Sequence, residues 1–136
     1  MAVSKICKDR GQTTLVSNGY GTVKSLINCT GTVNYNQAAF WLLGDGSIMV
    51  VGRLNITNFV RTGANPGVKI TLPDFIPTPT RGGTVSIGFR AQSVQELTNL
   101  TTTENSKDVN IFTTESFNNA QNGTLTLIMN SIIAIH

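Results

Sequence analysis

The chain has 136 residues, the length of one ordinary domain, and 40% of them are hydrophobic while only 12% are charged. Its polar character comes from 19 Thr, 14 Asn and 13 Gly, and low charge combined with regular apolar stretches argues against a disordered chain. The net charge of +3 is carried by scattered basic residues, so we expect no nucleic-acid binding. No apolar run approaches the roughly 20 residues that a membrane span requires, so we expect no membrane insertion.

The first part of the chain contains two candidate strands, Thr22–Ile27 and Thr32–Tyr35. Residues 1–12 are charged and lack a long apolar stretch, so we expect no signal peptide. We predict that residues 1–37 form a connecting or attachment segment packed on the domain. Residues 38–136 are then predicted to form the domain itself.

The clearest local pattern is a β-hairpin around Asp45-Gly46, which is flanked by the apolar segments 40–43 and 48–51. Asp-Gly between two β-rich segments favours a two-residue turn, because both central positions need a positive φ. Such a turn predicts that Leu43 lies opposite Ile48 and Leu42 opposite Met49, with the same register along the rest of the two strands.

This register puts Trp41 opposite Val50 and predicts that Trp41 belongs to the core. The opposite face of the hairpin is also apolar, whereas a hairpin in a half-solvated sheet normally has one polar face. Another sheet or another subunit must therefore cover the second face. We predict an oligomer interface at the four apolar residues of that face: Phe40, Leu42, Met49 and Val51.

The rest of the chain is a series of short strand signals separated by turns. We predict strands at 68–72, 84–90, 109–113 and 124–135, an irregular crossing at the prolines of 73–79, a short helical turn at 93–97 and a second hairpin-type turn at 118–123. Within 84–90, Val85, Ile87 and Phe89 are expected to point inward. Short strands at intervals of about ten residues indicate an all-β sandwich or barrel-like domain of the jelly-roll or Greek-key type.

The chain has few side chains that are suited to catalysis. Its only histidine is His136, and its seven acidic residues fall in predicted turns, loops or tails, whereas a glycosidase needs two carboxylates held rigidly. Cys7 and Cys29 match neither a zinc nor a thioredoxin-type spacing, and we expect both to be free thiols. We therefore expect no enzyme activity, no metal site and no cofactor.

The order of these segments resembles a known family. An aromatic strand with Phe40-Trp41 and a tight turn precede Ile-Met-Val-Val-Gly-Arg-Leu at 48–54, and Ile-Thr-Leu-Pro-Asp-Phe-Ile-Pro follows at 70–77. Gly-Thr-Leu-Thr-Leu-Ile-Met at 123–129 comes near the end. This arrangement is similar to the receptor-binding head domains of phage tail fibres and baseplates. Pro77 follows Phe75 after a single residue, which departs from the family's spacing.

The resemblance implies a homotrimeric β-sandwich at the tail tip or surface of a virion, made in the host cytoplasm. It implies binding to a host cell-wall or envelope saccharide, contacts with other virion or tail proteins, and no catalysis. Saccharide recognition needs planar hydrogen-bonding groups and an aromatic surface, and our candidates in loops are Tyr35, Arg61, Asn65, Arg81 and Arg90. The alternatives are a structural virion or tail-assembly protein of the same fold, and a carbohydrate-active enzyme.

Overall fold

The computed structural model describes residues 17–114 and 123–136, and these residues form one antiparallel β-sheet of ten strands without an α-helix. The described residues include no helix that is long and apolar enough to cross a membrane. The all-β class expected from the sequence is confirmed. The strands are β1 (Ser17–Tyr20), β2 (Thr22–Ile27), β3 (Cys29–Asn36), β4 (Ala39–Leu42), β5 (Ile48–Arg61), β6 (Gly67–Thr71), β7 (Gly83–Arg90), β8 (Ser93–Thr102), β9 (Asp108–Thr113) and β10 (Leu125–Ile133).

The sheet curls into a nearly closed barrel. Its strand order is β1-β4-β5-β10-β7-β8-β9-β6-β2, and β3 pairs with β5 beside β4. Because β10 lies next to β7 while β7, β8 and β9 follow one another, these four strands form a Greek key. The first and last strands of this order, β1 and β2, are separated in the chain only by Gly21. β2 and β3 are separated only by Asn28, whose carbonyl oxygen accepts hydrogen bonds from the amides of Thr62 and Gly63 after β5.

The barrel interior is an apolar core formed by alternate residues of the strands. On β5 the buried positions include Ile48, Val50, Leu54 and Ile56, and the last two lie opposite the buried Leu127 and Leu125 of the neighbouring β10. Burial of one such side chain contributes about 1.5–3 kcal/mol relative to exposure. The residues between them point outward, and these outward-facing residues define the surfaces discussed below.

Residues 17–36 belong to the barrel. β1 pairs with β4, β2 with β6 and β3 with β5, so the division suggested after residue 37 does not separate an arm from the domain in the described chain. The two strand candidates at 22–27 and 32–35 are confirmed as β2 and β3. Residues 1–16, with Cys7, and the predicted turn at 118–123 apart from Gly123 lie outside the described residues.

The hairpin register differs from the expected one by one residue. Leu42, not Leu43, lies opposite Ile48, and the amide of Leu43 donates to the carbonyl of Ser47 at 3.0 Å. The loop thus has three residues, 44–46, because the carboxylate of Asp45 accepts hydrogen bonds from both the amide and the hydroxyl of Ser47. Gly46 has a φ of 88°, so its predicted positive φ is confirmed.

A shift of one residue exchanges the two faces of β4. Phe40 is completely buried in the core and Leu42 packs against it, so neither is positioned to form the predicted subunit interface. Trp41 instead points outward and is only partly buried, so its assignment to the core was wrong. Met49 lies on the outer face as expected.

A bulge in β7 changes the expected faces of that strand. Ser86 pairs with Asn99 and Gly88 with Thr98, which leaves Ile87 as an extra residue. Ile87 is buried as expected, but Phe89 turns outward and is 41% exposed, so its inward placement was wrong. Val85 lies opposite the fully buried Leu100, so it is on the inner face as expected, although it is 44% exposed. The predicted helical turn at 93–97 is instead the start of β8.

Candidate functional site

The outer surface of β3 and β5 carries a compact group of polar side chains beside an exposed aromatic ring. Tyr35 lies directly opposite Asn55, and Gln37 lies opposite Arg53 through hydrogen bonds between their main chains. These four residues, Tyr35, Gln37, Arg53 and Asn55, are called the polar platform below. Tyr35 is 39% exposed, and Gln37 and Arg53 are also exposed.

Local features of the chain build the polar platform. A register shift between Val33 and Tyr35 turns the Tyr35 side chain outward, and its hydroxyl donates to Oε1 of Gln37 at 2.6 Å. Gly52 allows the close approach of the Gln37 main chain, because a Cβ atom at position 52 would lie 1.6 Å from the Gln37 carbonyl oxygen. The carbonyl oxygen of the Asn55 side chain is enclosed and has no hydrogen-bond partner among the described residues.

An apolar row continues from the polar platform across three further strands. Arg53 neighbours Ile128 on β10, Ile128 neighbours Phe89 on β7, and Phe89 neighbours Leu97 on β8. Leu97 is exposed to a similar extent as Phe89. Neighbouring strands are about 4.8 Å apart, so this row and the platform together form one elongated outer surface.

A second outer surface lies on β4, β5 and β10. Trp41 is opposite Met49, and Met49 is opposite Ile132, which is 60% exposed. We call Trp41, Met49, Val51 and Ile132 the outer apolar face. Its Val51 is two residues from Arg53 of the polar platform, so the two surfaces adjoin.

Two of the saccharide-binding candidates lie close in the chain: Arg61 is the last residue of β5, not a loop residue as expected, and Asn65 is in the loop between β5 and β6. The side chain of Arg61 donates from Nε to the carbonyl oxygen of Gly63 at 2.8 Å, and Asn65 adopts a left-handed conformation with a φ of 56°. The Asn28 side chain also donates to the carbonyl of Ala64. Arg61 therefore stabilises its own loop, which reduces its availability to a ligand.

The other two arginine candidates lie elsewhere. Arg90, at the end of β7, donates from Nε to the carboxylate of Glu96, and its side chain is only 12% exposed. Arg81 precedes β7 at the opposite end of the barrel, where its Nη1 donates to the carbonyl oxygen of His136 at 3.4 Å. Arg61 and Asn65 thus lie near the same end of β5, whereas Tyr35, Arg81 and Arg90 lie on other parts of the barrel.

The acidic groups with a shifted pKa are engaged in structural contacts. Hydrogen bonds from Ser47 hold the pKa of Asp45 below its ordinary value, and hydrogen bonds from the Lys24 ammonium and the Thr71 hydroxyl do the same for Asp108. In the described part of the chain, no three His, Cys, Asp or Glu side chains are grouped to hold a metal ion. Cys29 is a free thiol whose burial raises its pKa, so the thiolate form is disfavoured.

Sequence reasoning identified Tyr35 but not its three partners. Alternation along β5 places Arg53 and Asn55 on one face, so the sequence pattern could have identified these two residues of the polar platform. The pairing of Gln37 with Arg53 depends on the path of β3, which the sequence does not reveal.

Comparison of the chain with family models, curated proteins and solved structures finds no match. The function must therefore be inferred from the surfaces described above.

Proposed function

We propose that this chain is a non-catalytic, phage-type receptor-binding head that recognises a host cell-surface saccharide through the polar platform. The observation that carries the proposal is the placement of the planar groups of Gln37, Arg53 and Asn55 around the exposed ring of Tyr35. Guanidinium and amide groups offer hydrogen bonds in fixed planes to sugar hydroxyls. An aromatic ring offers an apolar surface to the C–H face of a sugar, and the Tyr35 hydroxyl supplies a further polar contact.

The platform lies on paired strands, which favours binding without rearrangement. A neutral sugar held by one guanidinium and a few amides binds at about the millimolar level, which corresponds to about 4 kcal/mol. Several sites acting together are then needed for attachment, as in a trimer that is part of a larger array on a virion.

The outer apolar face supports the trimer in this proposal. Closed homo-oligomers commonly bury contiguous apolar surface, and Trp41, Met49 and Ile132 form such a surface across three strands. Because this surface adjoins the polar platform, trimer formation would bring three platforms to fixed positions around one axis. Contacts with other virion or tail proteins would use the remaining surface.

The test is binding of the purified protein to a glycan array and to envelope saccharides of host cells. Wild type is compared with Arg53→Ala and with Tyr35→Ala, after all proteins are shown to melt at similar temperatures. The matched control is the double variant Arg61→Ala/Asn65→Ala, which changes the loop between β5 and β6. We expect both platform variants to lose binding and the control to retain it.

Three outcomes would contradict this assignment. Retention of binding by Arg53→Ala and Tyr35→Ala would exclude the polar platform. Loss of binding in the loop variant alone would move the site to Arg61 and Asn65. If wild type binds no envelope saccharide, a structural role in the virion or in tail assembly is favoured instead.

A further inference from the structure

The wall of the barrel is open between β7 and β10. These strands pair over only three positions, Gly88–Arg90 with Leu127–Met129. Beyond them, the first half of β7 pairs only with β8, and the second half of β10 pairs only with β5. Two strand edges therefore face each other across a gap. At the far end of the gap the amide of Thr80 donates to the carbonyl of Ile135 at 2.8 Å, so the opening is closed at both ends.

The opening contains a cavity of about 390 Å³. The buried side chains of Leu100 and Ile133 line its inner side, and the hydroxyl-bearing residues Thr84, Ser86 and Ser131 line its walls. Among the described residues that line it, none is aromatic or acidic, and Arg81 is the one charged group. This chemistry differs from that of the polar platform, because it lacks an aromatic ring on which a sugar could stack.

An unpaired strand edge presents a row of N–H and C=O groups at fixed spacing. Two such edges facing one space are complementary to one kind of ligand in particular, the main chain of an extended polypeptide. Residues 130–134 of β10 and its continuation border the gap. A strand of five residues spans roughly 17 Å, at about 3.3 Å per residue, so a short segment would fill the opening.

We propose that the opening between β7 and β10 is a strand-acceptor site for one extended peptide segment of another protein, which binds by β-strand addition. Side chains at alternate positions of the segment enter the cavity beside Leu100 and Ile133, so these positions are apolar and β-branched. An acidic residue at one end of the segment lies near Arg81, which is the cation of the lining. The segment completes the ladder between β7 and β10 and closes the barrel wall.

The structure offers a substitution that fills the cavity without straining the main chain. A Cβ atom added at Gly83 meets nothing within 4 Å, and this residue lines the opening. Gly83→Phe therefore directs a ring into open space. The matched control is Val60→Phe on β5, because Val60 is exposed and is not part of the lining. Both variants are first checked by thermal melting.

The experiment selects random eight-residue peptides, displayed on a carrier, for binding to the immobilised full chain. We expect enriched peptides with alternating β-branched residues, bound roughly tenfold or more weakly by Gly83→Phe and equally well by Val60→Phe. A synthetic copy of an enriched peptide, N-methylated at alternate amides, keeps its side chains but should also lose at least about tenfold in affinity. Hydrogen exchange at residues 83–87 and 130–134 should slow when the unmodified peptide binds.

The comparison of N-methylated and unmodified peptides uses only the wild-type protein. It therefore tests binding through main-chain hydrogen bonds even if Gly83→Phe unfolds. The proposal is overturned if no peptide is enriched on wild type over unrelated protein, or if N-methylated copies bind as well as the unmodified peptide. Protection of the same amides by a saccharide, without any peptide binding, would also overturn it and assign the opening to sugar. None of these outcomes bears on the polar platform, which is tested separately.

Discussion

The side-chain ammonium of Lys107 donates a hydrogen bond to the main-chain carbonyl oxygen of Pro73 at 3.1 Å. The same ammonium also reaches the carbonyl oxygens of Asp74 and Ile76. One lysine before β9 thus fixes the irregular crossing between β6 and β7, in which prolines cannot take part in a regular ladder. This crossing carries the chain over the end of the barrel.

We predict that Lys107→Met lowers the free energy of unfolding by about 2 kcal/mol, because hydrogen bonds to a charged group are stronger than neutral ones and the carbonyl groups lose their donor. The control is Lys24→Met, which removes a lysine that is 57% exposed, and solvent screens its ion pair with Asp108, so we expect a smaller effect on stability. Urea unfolding of both variants measures the difference. Equal urea concentrations at the unfolding midpoints of the two variants would show that Lys107 does not stabilise the crossing.

A second prediction concerns the turn between β4 and β5. Gly46 has a positive φ, and a Cβ atom there would lie 2.9 Å from the His136 ring. Gly46→Val should therefore destabilise the protein by about 1–3 kcal/mol. Gly83→Val is the control, since that position has open space around it and no positive φ. A melting temperature for Gly46→Val within a degree of wild type would contradict the turn geometry.

A third prediction concerns acid stability. Asp108 accepts hydrogen bonds from Lys24 and Thr71, and these contacts lower its pKa in the folded protein. Because the pKa is lowered on folding, the ionised carboxylate stabilises the folded protein at pH values above the pKa of Asp in the unfolded chain, about 3.9. This stabilisation is lost as the pH falls through the lower pKa of Asp108 in the folded protein. Between neutral pH and pH values below about 4, the melting temperature of Asp108→Asn should therefore fall by less than that of wild type.

The control for this measurement is Glu104→Gln, which removes an exposed carboxylate from the loop before β9. If Asp108→Asn and wild type show the same decline of melting temperature with acid, the ionised form of Asp108 is not stabilised by Lys24 and Thr71.

A fourth prediction concerns assembly through the outer apolar face. In the proposed trimer, Met49→Asp would bury an unpaired carboxylate at the subunit contact, which is strongly unfavourable. Because Met49 is only partly buried within one chain, the variant should remain folded and sediment as a smaller species. Val60→Asp, on the same strand but outside this face, should leave assembly unchanged. A wild-type chain that sediments as a stable monomer would contradict the trimer directly.

The sequence was sufficient to predict most strands but not the direction of several side chains. Alternation along 48–56 correctly separated the inward residues of β5 from Met49, Arg53 and Asn55. Phe89 was placed inward because nothing in a single sequence reveals that Ile87 is the extra residue of a bulge. Such an irregularity depends on how β7 pairs with β8, which is a long-range property.

The hairpin shows a similar limit at short range. Asp45-Gly46 correctly indicated a turn with a positive φ at Gly46, but the hydrogen bonds from Ser47 to Asp45 favour a three-residue loop over a two-residue one. That difference of one residue decided whether Phe40 or Trp41 entered the core. Predicted interface residues therefore depended on a detail of one turn, whereas the all-β class did not.

The position of β10 between β5 and β7 has a consequence for the way the chain acquires its fold. β5 ends at residue 61, yet its pairing partner on this side begins only at residue 125, so four further strands, β6 to β9, must be synthesised before the two can meet. Pairings between such distant segments make folding slow, on a scale of about milliseconds to seconds. Until β10 emerges from the ribosome, one edge of β5 is available to other nascent chains, so a chaperone that shields exposed strand edges would raise the yield of the folded protein.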